Sequence, residues 1–356
     1  MLTKQIAKYL LTIFLIPMSF IWDYVYRIRR FLYNYGLLKR NSYKVPIISV
    51  GNLTFGGTGK TPFVIWLSKY LDTMEQKVMI LMRGYKGKLE SSSGILRSSS
   101  RLGHSPLEFG DEALLLSRKL KKAAIVVGKK RSQNLEKFFH DEKPDVIVLD
   151  DGHQHLKLSR NLNIVLFDAL MPVGKYHVAP WGYLREGFSA LADADIVLIG
   201  RTDQTTRMQV NSLKTLIKSN MYKKVPFGEI GYKPTGIYNS NFEKNIELNE
   251  LKNRKVICVT GIASPVSFFK LVQGFEVQMV DKLIFPDHHD YNSNEIRSIV
   301  EKAKKEDCLI LTTEKDMVKI KRLKLSENFF FLEIQMYFIS GEQEVKDKIN
   351  NVLLVN

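Results

Sequence analysis

Three groups of residues in this sequence have types and spacings that do chemistry. The first is "GNLTFGGTGKTP" (51–62), which follows the apolar run Val45–Val50 and precedes a helical pattern. Glycines between a strand and a helix let successive backbone N–H groups turn toward one anion, and the helix N-terminus adds partial positive charge. The phosphate-loop pattern asks for G-x-x-x-x-G-K-[ST]. Gly59, Lys60 and Thr61 fit it, but Thr54 stands at the first glycine position, so Gly56 and Gly57 must make the bend. The nucleotide-binding stretch is therefore expected to run through Thr54, Phe55, Gly56, Gly57, Thr58, Gly59, Lys60 and Thr61.

The second group ends an apolar run, "DVIVLDDGHQH" (145–155). Acids at such a strand end hold magnesium in phosphate-loop proteins, and the loop hydroxyl, here Thr61, takes another coordination position. Asp150 and Asp151 are the metal candidates. His153 and His155, two residues apart, make a weak zinc pattern and fit better as supports behind the site's ligands or as substrate contacts. The third group is scattered. "FGDEA" (109–113) places Asp111 at an expected helix N-cap, a position Asp favours for structural reasons alone. "FPDHHDY" (285–291) puts two histidines and two acids in one loop, there to close on a site or to be solvated. "YLREG" (183–187) gives Arg185 and Glu186, which read by themselves as a surface pair. In "TTEKD" (312–316), Thr312 or Thr313 reads as a helix cap.

The elements that must position these residues alternate. "KVMILMRGY" (77–85), "AAIVV" (123–127), "DVIVLDDG" (145–152), "LNIVLFDA" (162–169) and "DIVLIGR" (195–201) read as buried strands with helices between them, the mark of a parallel sheet. A serine-rich stretch, 88–105, reads as a surface loop. A second alternating unit begins at "KVICVTGIASPVSFFKLV" (255–272) and continues through "CLILTTEKD" (308–316), without a phosphate loop of its own. The expected fold is α/β and P-loop NTPase-like: a mostly parallel sheet flanked by helices, with a second, smaller α/β domain. The expected divisions are 1–24, an N-terminal membrane-interface helix; 25–225, a P-loop domain; and 226–356, a C-terminal α/β domain closing over the site.

Composition narrows the partners. The chain has 356 residues, 45% of them hydrophobic, enough for real cores. Cys258 and Cys308 lie far apart with no metal-binding spacing, which fits a reducing compartment. The net charge is +16, and residues 1–44 carry +7 of it, with Asp23 their only acid. "YLLTIFLIPMSFIW" (9–22) is shorter than the roughly 20 apolar residues of a membrane span and contains Pro17. Trp22, Tyr24 and Tyr26, followed by Arg27, Arg29 and Arg30, resemble an interfacial belt beside anionic headgroups. A helix lying in, or dipping into, the leaflet is expected, with a helix of the soluble core and a full span with a slight overhang as the other readings. The basic residues cluster beside apolar ones and not in a nucleic-acid-binding signature, so no nucleic acid is expected.

Taken in order along nearly the whole chain, the apolar N-terminus, "GNLTFGGTGKTP", "RGYKG", "GDEA", "DDGHQH", "LREG", "FPDHH" and "TTEKD" resemble the tetraacyldisaccharide 4'-kinase family of lipid A biosynthesis. The family also lacks the first loop glycine. The resemblance implies transfer of the ATP γ-phosphate, with Mg2+, to the 4'-hydroxyl of an acylated glucosamine disaccharide 1-phosphate at the cytoplasmic face of the inner membrane. The enzyme would sit peripherally or monotopically on that anionic surface, with no obligate protein partner evident. The resemblance also implies that Asp111 is the catalytic base with His288 as its partner, that Lys60 holds the phosphates, that Asp150 and Asp151 are magnesium and active-site carboxylates, and that Glu186 belongs to the active site. Lys86 and Gly187 depart from the family pattern, which expects glycine and proline there. A soluble P-loop GTPase or metallochaperone is the alternative, although "TEKD" lacks the asparagine of a guanine-reading N-K-x-D.

Overall fold

The computed structural model describes residues 2–97, 104–323 and 325–354. In chain order the first half holds α1 (Leu2–Asn34), β1 (Ile47–Asn52), α2 (Lys60–Thr73), β2 (Val78–Met82), β3 (Gly94–Leu96), α3 (Pro106–Phe109), α4 (Asp111–Lys119), β4 (Ala124–Val127), α5 (Arg131–Glu142), β5 (Val146–Asp150), β6 (Leu162–Asp168) and β7 (Ile196–Gly200). The second half holds α6 (Arg207–Ser219), β8 (Phe227–Tyr238), β9 (Lys244–Ile246), β10 (Lys255–Thr260), α7 (Pro265–Gln273), β11 (Gln278–Ile284), α8 (Ser293–Glu306), β12 (Leu309–Thr313), α9 (Glu314–Ile320), β13 (Phe329–Ser340) and α10 (Glu342–Leu354). Two compact units emerge, neither of them contiguous. One takes residues 1–60, 144–231 and 338–356, the other 61–143 and 232–337.

In the first unit β1 lies between β5 and β6, and β7 and the start of β8 follow, all parallel. Strands β1, β5, β6 and β7 are buried along their whole length. That is why they read as continuous apolar runs and not as alternating ones. The register pairs Val50 with Asp150, so the glycine loop and the paired acids leave the sheet at the same edge. Leu53, Phe167, Leu184, Val197, Ile199 and Leu213 fill the core on one face.

The other unit pairs β2 with β4 in parallel and adds β3 antiparallel at the edge. The polar stretch expected as a loop thus contributes a short strand, while its residues 98–103 lie outside the described ones. Strands β11, β10, β12 and β13 run parallel in that order. Phe329 and Phe331 pack on one face of them, Phe330 and Leu332 on the other. Strand β11 was not legible as buried. Its residues alternate between exposed and half-buried, because it pairs on one side only. Helix α4 packs against α9. Cys258 and Cys308 are buried free thiols.

Helix α1 runs ten residues beyond the expected end at 24, and no helix among the described residues is long and apolar enough to cross a membrane. Its polarity is inverted. Ser19, Asp23, Arg30 and Tyr33 face the protein and are buried, whereas Phe14, Ile21 and Tyr24 are about two-thirds exposed (70%, 66% and 65%). A helix of a water-soluble core has the opposite arrangement.

Candidate active site

The glycine loop is shaped by two left-handed residues and braced from one side. Gly56 and Gly59 have φ of 92° and 85°, a region that favours glycine, and α2 starts immediately at Lys60. The "LREG" segment pairs with the loop. Phe55 N–H donates to the Tyr183 carbonyl at 2.8 Å, Arg185 N–H to the Leu53 carbonyl at 2.6 Å, and Thr54 bridges Leu184. The Arg201 guanidinium donates to the Gly57 carbonyl at 2.9 Å and is itself paired with Asp168. Thr54 and Thr58 are buried and Phe55 is exposed. The strand before the loop is just as tightly fitted. A Cβ added to Gly51 would lie 2.6 Å from the His153 Cβ, so only glycine fits there.

Lys60 reaches back over the loop. Its Nζ lies 3.1 Å from Asn52 Oδ1 and 3.2 Å from Asp151 Oδ1. Arg185 also donates to Asp151, at 2.8 and 3.1 Å. Asp151 sits in the left-handed region with φ 51°, a strained conformation for a non-glycine residue. Two cations already hold Asp151. Asp150, the other metal candidate, is buried at the end of β5. Its carboxylate is a hard oxygen donor, the kind that Mg2+ takes.

Glu186 is no surface pair member. It is 2% exposed and gripped by the Arg30 guanidinium, whose Nε and Nη2 donate to its two oxygens at 2.6 and 2.8 Å. Arg30 also pairs with Asp193 and donates to the His153 carbonyl. Burial lowers the affinity of Arg30 for its proton, but hydrogen bonding and attraction from Glu186, then Asp193, outweigh it, and the net shift is upward. Arg30 therefore does not belong to a headgroup belt, as the sequence had suggested; it ties α1 to the "LREG" loop. Trp22 Nε1, donating to the Arg185 carbonyl at 2.8 Å, and Asp23, accepting from Gly187 N–H at 2.7 Å, reinforce the tie. Gln154 continues it inward, donating to Glu186 at 2.8 Å and to the Asn52 carbonyl at 2.9 Å. Arg30→Met should leave Glu186 charged, buried and short of its main partner, costing about 3–5 kcal/mol of stability by denaturant unfolding. A variant as stable as the parent would mean that the Arg30–Glu186 pair does not hold the fold together.

His153 is wholly buried, with Nδ1 3.0 Å from Asn163 Nδ2. Burial, then the nearby Arg30 and Arg160, hold its pKa well below the ordinary histidine value. It is a neutral packing group beneath β1. No group of three or more His, Cys, Asp or Glu side chains gathers as a metal site among the described residues.

In the other unit the expected pair is formed. His288 Nδ1 lies 3.0 and 3.1 Å from the two carboxylate oxygens of Asp111. Asp111 is the first helical residue of α4, and Gly110 is its cap; the Asp111 carboxylate also accepts the Glu112 N–H at 2.8 Å. The expected N-cap is thus displaced by one residue. Gly110, with φ 87°, approaches the backbone of Gly84 and Tyr85 too closely for a side chain. Burial would raise the Asp111 pKa, but the His288 hydrogen bond, then Lys315, then Lys319, lower it to about 2. His288 is fixed in turn by the Tyr85 ring, edge-on at 4.9 Å, and by Lys86 Nζ, which donates to its carbonyl at 3.1 Å. Lys86, where a glycine was expected, has φ 61° and so keeps the glycine-like backbone. Thr313 is the cap of α9, as expected.

Sequence reasoning missed Asn52, Gln154, Arg201 and Arg30. Only Arg30 left a usable signal: Ser19, Asp23 and Arg30 recur at helical spacing in a stretch rich in apolar residues.

A mostly parallel α/β sheet that ends in a glycine loop, with a lysine opening the next helix and acids on the neighbouring strand, defines the class of P-loop, phosphate-handling proteins. A family model described as tetraacyldisaccharide-1-P 4'-kinase, LpxK, matches residues 11–354. The chain belongs to that family. Among its relatives is the tetraacyldisaccharide 4'-kinase of Desulfotalea psychrophila, 34% identical over 95% of this chain and 94% of that one. That of Halothermothrix orenii is 32% identical over 94% and 90%. A crystal structure of LpxK from Aquifex aeolicus, described as in complex with ATP, superimposes with a TM-score of 0.76 at 30% identity, covering 96% of this chain and 99% of that one. The family match leaves no support for the reading as a soluble GTPase or metallochaperone.

Proposed function

We propose that this protein transfers the γ-phosphate of ATP to the 4'-hydroxyl of a tetraacylated glucosamine disaccharide 1-phosphate. The family match carries the reading, because it spans residues 11–354 and so takes in the glycine loop, the paired acids, the Asp111–His288 pair and the "LREG" segment. Backbone N–H groups of residues 56–61 and the Lys60 ammonium hold the β- and γ-phosphates. Mg2+ held by Thr61 and Asp150 would neutralise charge on the transferring phosphoryl group. Asp151, positioned by Arg185, sets Lys60. Asp111 takes the hydroxyl proton, and so weak a base accepts it only late, once the forming O–P bond has acidified the hydroxyl. Glu186 acts through structure: with Arg30 it fixes the loop that braces residues 53–55. Incubating the full chain with labelled ATP, magnesium and the lipid disaccharide tests the assignment. Label in the lipid is expected; ATP turnover that leaves the lipid unlabelled would overturn it.

We further infer that the outward face of α1 lies in an anionic membrane surface such as the cytoplasmic face of the inner membrane, where the lipid acceptor resides. The inverted polarity of α1 supports this, together with Arg27, which stays exposed on it. The functional divisions expected from the sequence stay our reading, with α1 to Asn34 as the anchoring element. Replacing Phe14, Met18 and Ile21 by serine should weaken co-sedimentation with phosphatidylglycerol vesicles at least tenfold, since each buried apolar side chain contributes about 1.5–3 kcal/mol. The melting temperature should hold, because these side chains face away from the fold. Undiminished sedimentation would move the membrane contact elsewhere.

A further inference from the structure

Lys315, in "TTEKD", has so far no part in the chemistry. It is held rigidly. Thr313 caps α9, and the Asp316 carboxylate accepts from Thr313, Thr260 and the Gly261 N–H at 2.8–3.0 Å. From this anchored turn the Lys315 ammonium reaches Glu112 Oε1 at 3.0 Å and His288 Nε2 at 3.3 Å. Lys319, one turn on, lies 3.8 Å from Asp111 Oδ2.

The hydrogen-bonding inventory then decides the state of the imidazole. An ionised carboxylate only accepts, so the contacts of Asp111 with His288 Nδ1 require a proton on Nδ1. An ammonium only donates, so the contact of Lys315 with Nε2 requires a lone pair there. Only the neutral Nδ1–H tautomer meets both conditions; an imidazolium would set its Nε2–H against the ammonium. The other charged group facing the ring is Asp287, whose carboxylate is 3.8 Å from Nε2, beyond hydrogen-bond reach, and itself 3.7 Å from Lys315. Burial works against the charge on Lys315, but Glu112, Asp111 and Asp287 more than restore it, so the ammonium persists.

We propose that Lys315 is a positioning residue that holds His288 as the neutral Nδ1–H tautomer, so that the imidazole orients Asp111 without taking its proton. This rests on Asp111 as the base. The hydroxyl proton moves to the Asp111 carboxylate as the sugar O–P bond forms. The bond from the γ-phosphorus to its bridging oxygen breaks with its electron pair leaving on ADP, and the proton passes later to water. Lys319 and Lys315 keep the waiting carboxylate ionised.

Ring 15N spectra of the full chain in detergent micelles, labelled at histidine, give the test, with the His288 signals assigned by their loss in His288→Gln. At neutral pH the wild type is expected to show a protonated Nδ1 and a bare Nε2. Lys315→Met should lose that pattern and lower kcat roughly ten- to a hundredfold, the scale of a misplaced catalytic group, with the KM for ATP unchanged. Lys315→Arg, which keeps a donor, should retain the pattern. An imidazolium or an Nε2–H ring in the wild type overturns the proposal, as does a Lys315→Met protein with the wild-type ring and kcat. Should Lys315→Met not fold, the wild-type and arginine spectra still decide. The ring pattern is independent of turnover, so failure of Asp111 as the base, read from kcat of Asp111→Asn, remains distinguishable.

Discussion

Lys60→Ala is expected to lower kcat roughly 10²–10³-fold, the loss seen when one preorganised electrostatic donor is removed from a transition state. The ammonium sits between Asn52 and Asp151 at 3.1 and 3.2 Å, where it can pass to a phosphoryl oxygen without leaving the loop. The fold should survive, because Lys60 belongs to none of the buried clusters and Asp151 keeps its pair with Arg185. Kinetics on the purified variant, beside its melting curve, separate the outcomes. A kcat near the parent value with an intact melt would remove the lysine from phosphoryl transfer.

Asp111→Asn should lower kcat by about 10²–10⁴-fold, the usual share of general acid–base catalysis, and leave the KM for ATP unchanged. Asparagine keeps the shape and a carbonyl oxygen for the Glu112 N–H, so α4 retains its start. A pH signature accompanies the loss. The Asp111 carboxyl is held at about 2, below the ordinary 3.8. A depressed carboxyl contributes stability above its unfolded-state pKa and loses it as pH falls through the folded value. That contribution, on the order of 2 kcal/mol, is complete above about pH 5 and disappears toward pH 2. Denaturant unfolding at several acidic pH values should show this slope in the parent and a shallower one in Asp111→Asn. If the variant keeps parental kcat and loses only stability, Asp111 is a helix-start residue and no base.

The parallel sheet was legible because its central strands are buried on both faces and bounded by glycine, aspartate and helical periodicity. Strand β11 and the long β8 and β13 were not, since edge position and mixed burial break the apolar run that would announce them. The glycine loop, Asp150 and Asp151 could be read because phosphate chemistry constrains neighbours in sequence. His288 could be tied to Asp111 only through the family resemblance: 177 residues separate them, and no local pattern encodes a contact at that range. Glu186 and Arg30 show the same limit. Glu186 reads as half of a surface pair and Arg30 as part of an interfacial belt until the fold brings together two residues 156 positions apart. Lys315 was hidden differently, inside a segment whose capping role was correct and sufficient.

Neither compact unit is made from one continuous stretch of chain. The unit that contains α1 and the glycine loop is completed only by residues 338–356, and the other is interrupted between 143 and 232. On the ribosome the second unit is complete once residue 337 has been made, and the first gains its last segment, 338–356, only after that. Long-range closure of this kind is slow and leaves apolar strands waiting. The apolar face of α1, exposed even in the folded chain, is thus made first and stays uncovered through every step of that closure.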